Sequence, residues 1–96
     1  MLFFVMIGYD KLGALPIRLA HRPAHIECLA ALERAGCMHH AGAILDSTGT
    51  PCGSVVVFSA ENMAAAEAIV AADPFVINGV FERVTVYETK RAFPSQ

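Results

Sequence analysis

The chain has 96 residues, a net charge of −2, and 55% hydrophobic against 17% charged residues. That length allows one domain, residues 1–96, and the composition excludes disorder, because disordered chains are poor in apolar and rich in charged residues. The 7 Lys and Arg are scattered, so the clustered cations that nucleic acid or an anionic membrane surface requires are missing and neither partner is expected.

Residues 2–9 (LFFVMIGY) read as a first strand, apolar on both alternating faces. The run is too short for a membrane span and lacks the positively charged start of a secretory leader. The 3 cysteines, an odd count with no CxxC, argue against a disulfide framework and fit a reducing compartment. A cytoplasmic protein is expected. Residues 10–22, with Gly13 and Pro16, read as irregular, with a helical turn around 17–21. A helix is predicted from Pro23, where the missing N–H is harmless, to Gly36, a usual C-terminal stop. Residues 37–45 read as a second strand interrupted by Gly42, 46–53 as a turn, and 54–59 (SVVVFS) as a β-branched third strand. Ser59 is expected to cap a second helix, NMAAAEAIVAA, which Asp73-Pro74 ends. Residues 75–81 read as a connector with a turn at Asn78-Gly79, 82–88 as a last strand, and 89–96 as a loop.

The order β-α-β-β-α-β is the ferredoxin-like α+β arrangement, an antiparallel sheet with two helices on one face. Strand one carries Leu2, Phe4 and Met6 on one side and Phe3, Val5 and Ile7 on the other. Two short helices cover one side only, and an apolar patch of this size is rarely left open. A homodimer packed sheet to sheet is therefore expected.

In this topology the start of the first helix and the close of the second reach the same end of the sheet. His25 shares a helical stripe with Cys28, Leu29 and Leu32, the stripe that should face the sheet. Asp73 follows Ile69 and Val70, again an inward stripe. Tyr9 and Ser54 fall at that end too. A carboxylate accepting from one ring nitrogen fixes the histidine tautomer and leaves the other nitrogen as acid or base. The helix N-terminus expected beside His25 disfavours a charged ring, and the carboxylate favours it. The plainer readings are an ordinary Asp-Pro turn and a satisfied core histidine. Arg22 is either an anion-binding group or a surface residue, and Cys28 reads as an inert core residue. His21 and His25 are separated by Pro23, and His39 and His40 should point to opposite faces of a strand, so no metal set emerges. No cofactor fingerprint is present either.

Arg22-Pro23-Ala24-His25, Ala41-Gly42, Ala72-Asp73-Pro74-Phe75 and Asn78-Gly79-Val80 together resemble the YciI-like (YCII-related) family across nearly the whole chain. The resemblance implies membership of the dimeric α+β barrel superfamily, with likeness to small isomerases and dechlorinating enzymes of aromatic degradation; muconolactone isomerase is similar in fold. It also implies that His25 and Asp73 stand where the family has its proposed active-site pair. The resulting expectation is a small cofactor-independent enzyme that transfers protons in an isomerisation, elimination or dechlorination. His25 and Asp73 would be catalytic, and Arg22, Tyr9 and Ser54 would contact a small-molecule substrate. The alternative is a non-catalytic metabolite-binding or accessory domain using the same cleft.

Overall fold

The computed structural model describes residues 1–95. In chain order run β1 (Leu2–Asp10), α1 (Leu15–Arg34), β2 (Met38–Leu45), β3 (Pro51–Ala60), α2 (Met63–Ala71), α3 (Pro74–Ile77) and β4 (Phe81–Thr89). The strands form one antiparallel sheet in the order β2-β3-β1-β4. The helices cover one face, as the ferredoxin-like reading expects. Val56, Phe58 and Val70 are buried with Phe4 and Met6 in the core between sheet and helices, and Leu29 of α1 packs against them. Phe3, Val5, Ile7, Val55 and Val57 lie on the other face, half-buried and with no helix above them. A hollow of about 600 Å³ lies on this open face, between Phe3, Val5 and Val57 and the chain after β4. No helix among the described residues is long and apolar enough to cross a membrane.

Four local expectations need correction. The first helix begins at Leu15, not Pro23, and residues expected to be irregular form its first turns. Pro16 occupies the first turn, where no N–H is needed, while Pro23 stands inside the helix. Pro23 is exposed, so its ring and the orphaned Leu19 carbonyl face water rather than the core. The C-terminal stop is as expected: Gly36 takes φ +75°, the Gly36 N–H donates to the Glu33 carbonyl and the Cys37 N–H to the Leu32 carbonyl. Ser59 remains in β3, and the side chain that caps α2 is Asn62, whose oxygen accepts from the Ala65 N–H. The connector after Asp73 contains the short helix α3, capped by Asp73 itself.

The fourth correction concerns His39 and His40. Met38 pairs with Phe58 and His40 with Val57, so residue 39 is extra in its strand. A bulge of this kind breaks the alternation of side chains. His39 hydrogen-bonds Ser59 and meets the edge of Phe3, and His39 and His40 both line the open-face hollow instead of pointing to opposite sides.

Candidate active site

The His25 imidazole and the Asp73 carboxylate are brought together from two elements that are far apart in sequence. His25 Nδ1 lies 2.8 and 2.9 Å from the two Asp73 oxygens, and both residues are buried. Asp73 Oδ1 also accepts from the Phe75 N–H at 2.8 Å. A carboxylate that accepts from a backbone N–H and faces a ring nitrogen with both oxygens can only be met by an N–H. The neutral imidazole therefore carries its proton on Nδ1, and Nε2 presents a lone pair. Among the described residues no buried side-chain nitrogen or oxygen lacks a partner, and Nε2 has no protein partner, so Nε2 keeps contact with solvent. The local geometry has two sources. Asp73 is held by capping α3, and His25 is held by its ring, stacked on Phe75 at 3.8 Å between centroids and 11° between planes. His25 is the eleventh residue of α1, not one of its first, so the expected influence of a helix N-terminus on the ring does not apply.

Two turns earlier on the same helix stands Arg18, which the sequence reading did not single out. Its Nε and Nη2 donate to the two Asp10 oxygens at 2.8 and 2.9 Å, and Nη2 donates also to Ser54 Oγ at 2.9 Å. The ion pair is nearly closed to water, with side-chain exposures of 6% and 8%. The fork-to-fork geometry is what makes burial of the pair tolerable. The Arg18 guanidinium carbon is 4.7 Å from the centre of the Phe75 ring, so one phenyl group contacts both Arg18 and His25. Phe81 supports Phe75 edge-on at 6.0 Å. Gly8 makes room for Phe81, since a Cβ there would stand 2.8 Å from its ring. A usable signal for Arg18 did exist. It lies seven residues before His25, hence on the same side of a helix, and the last residue of β1 is an acid.

Arg18, His25, Ser54 and Phe75 share one open pocket of about 150 Å³ between α1 and the β2–β3 edge, with Arg22 also on its lining and exposed. Of the expected substrate contacts, Arg22 and Ser54 therefore meet His25, and Tyr9 does not. Tyr9 is one residue out of phase with Gly8 and Asp10, so its ring lies on the open face beneath Arg83. Cys28 borders a tight space beside Asp73, lined by Met6, Val56 and Val70. Burial, and next the Asp73 charge, push its thiol pKa above the usual value.

A family model described as YCII-related domain matches residues 1–90. The chain is 36% identical over 98 residues to Protein YciI of Escherichia coli and equally to that of Shigella flexneri, covering 96% of this chain and 100% of each relative. Among solved structures it is similar to 5-chloro-2-hydroxyhydroquinone dehydrochlorinase from Burkholderia phenoliruptrix, in complex with 2,5-dihydroxybenzoquinone, with a TM-score of 0.85 and 28% identity over 92% of this chain and 93% of that one. A crystal structure of an antibiotic biosynthesis monooxygenase, at a TM-score of 0.58 and 20% identity over 95% and 98% of the two chains, shares the fold alone.

Proposed function

This chain belongs to the YCII-related domain family, and from that premise we propose that it is a homodimeric, cofactor-independent enzyme acting on a small molecule by proton transfer at His25. The observation that carries this reading is the buried Asp73 carboxylate on His25 Nδ1, with Nε2 left unpaired beside an open pocket. Asp73 orients the ring and offsets the charge it acquires. The similar dehydrochlorinase supports an elimination. In such a step Nε2 takes a proton from a ring hydroxyl or its neighbouring carbon. The electron pair left behind forms a carbonyl or double bond, and the leaving group departs with its own pair as an anion. The pocket's volume of about 150 Å³ matches that of cavities that admit one benzene ring, which favours a monocyclic substrate. Arg22 at the pocket edge would attract an anionic group.

The open sheet face supports a dimer, because it presents a row of half-buried aliphatic side chains that a second sheet would cover. A test of the reaction is chloride release from 5-chloro-2-hydroxyhydroquinone and related hydroxylated rings. Turnover by the native chain that drops at least about 100-fold in His25→Ala is the expected result. Full turnover by His25→Ala, or no turnover of any ring, would overturn the catalytic reading.

A further inference from the structure

The two histidines at the β2 bulge take no part in the His25 pocket. The extra residue in that strand brings His39 and His40 to one hollow of about 600 Å³ on the open face. Lys90 and Arg91, from the chain after β4, line the same hollow. No carboxylate lines it, and among the described residues none of these four side chains forms an ion pair. Glu33 of α1 and Glu88 of β4 line neighbouring grooves and not the hollow itself. The floor is apolar. Phe3 meets the His39 ring edge-on, with centres 4.7 Å apart, and the Arg91 guanidinium carbon stands 5.1 Å from the Phe3 centre. Val5 and Val57 continue the floor, and Phe93, 84% exposed, lines the hollow as well. His39 is steadied by Ser59, whose hydroxyl can pair with the ring in either protonation state. Ile7 and Val55 pair farther along β1 and β3 and do not line the hollow, so that part of the face stays available to a second sheet.

We propose that this hollow is a second ligand site, for an aromatic carboxylate of two fused rings or similar size. The rings would lie against Phe3 and Phe93, and the carboxylate would be met by Arg91 and Lys90. Cations gathered without a carboxylate repel one another, and a bound anion relieves that repulsion. The large exposed ring of Phe93 offers apolar area that an aromatic ligand covers. Histidine takes up a proton between pH 8 and 6, so His39 and His40 add positive charge to the hollow as pH falls, with no acid lining it to cancel the gain. Size separates the two sites: about 600 Å³ here against about 150 Å³ beside His25, which suits a single ring. The site does not depend on the acid–base reading.

Two probes separate charge from shape: 1-naphthoate, an anion, and 1-naphthalenemethanol, its neutral counterpart. Each is titrated calorimetrically into the native protein, Arg91→Gln, Lys90→Gln, Phe93→Ala and His25→Ala. The native protein should bind naphthoate at least about 10-fold more tightly than the alcohol. Arg91→Gln should remove most of that preference, and Lys90→Gln, an exposed change that leaves the Phe3 contact intact, should lower it in the same direction. Phe93→Ala should weaken both probes alike. Naphthoate affinity should rise roughly fivefold or more from pH 8 to pH 6, and added salt should reduce it. His25→Ala should bind naphthoate as the native protein does. Equal affinity for the two probes would leave only an apolar patch and overturn the site. Loss of binding in His25→Ala would assign the probe to the catalytic pocket and overturn it too. A native protein that does not bind naphthoate at millimolar concentration would also overturn it; if light scattering shows that protein to be a dimer, the hollow belongs to the second copy. The acid–base reading fails separately, when His25→Ala retains chloride release.

Discussion

Replacing Asp73 should divide its two tasks, because the side chain serves the histidine and the short helix with the same pair of oxygens. Asp73→Asn keeps an oxygen that can cap the Phe75 N–H, now at 2.8 Å, and exchanges the other oxygen for an amide donor. It removes the negative charge that faces Nδ1 at 2.8 and 2.9 Å. A hydrogen bond to a charged group contributes about 1.5–3 kcal/mol, which is roughly a 10- to 150-fold loss of turnover if the ring gains charge in the rate-limiting step. Stability should fall by only about 1 kcal/mol, since a neutral acceptor remains. Asp73→Ala loses the cap, about 1 kcal/mol, and strands a buried Nδ1–H, about 1–3 kcal/mol. At about 4–8 °C per kcal/mol for a domain of this size, the alanine variant should melt roughly 8–32 °C lower than the native chain. Thermal unfolding followed by circular dichroism gives the first quantity, and chloride release gives the second. Nitrogen-15 NMR of the imidazole gives the proton's position directly. An alanine variant as stable as the native chain, or a ring protonated on Nε2 and not on Nδ1, would refute the reasoning.

Other expectations concern packing, association and thiol chemistry. Gly53→Ala would place a Cβ 2.6 Å from the Gly8 carbonyl oxygen, a backbone atom that cannot swing aside, so urea unfolding should show a loss of about 2–3 kcal/mol. Gly8→Ala should cost less, because the Phe81 ring it meets at 2.8 Å is a side chain; the reverse order would count against the packing account. Light scattering should find a dimer at micromolar concentration and a monomer after Val57→Lys on the open face, and a monomeric native chain would remove the dimer. Because its pKa is raised, Cys28 holds less thiolate than an unfolded cysteine at any pH near 8, so its alkylation profile should be displaced to higher pH. Asp73→Asn should recover part of that rate and leave the larger contribution, burial. Peptide mapping after iodoacetamide treatment would show it, and a Cys28 as fast in the native as in the denatured chain would contradict it.

The strands were legible because β-branched and aromatic residues at alternating positions leave few other readings; β4, for example, begins at Phe81 where the sequence suggested 82. The start of α1 was not legible. Pro16 and Pro23 are both acceptable in a first turn, and the earlier start is supported by tertiary contacts that local composition does not show, the Asp10–Arg18 pair and the burial of Ala14 against Phe75 and Phe81 among them. That one misplacement hid Arg18 and its place in the pocket. His25 and Asp73 were found because each belongs to an apolar stripe whose direction the topology dictates. Tyr9 was misplaced by a single step in strand parity, and His39 by a bulge that leaves no mark in composition.

Arg18 and His25 stand on one rod, seven residues apart, a separation of about 10.5 Å along its axis and nearly two full revolutions. The distance between the pocket's cationic end and its imidazole is thus set by the helix they share, independent of loop lengths. Inserting or deleting a single residue between them would swing one by about 100° away from the cleft. Trimming Phe75, the ring that touches both groups, would widen the space between them without moving either backbone position.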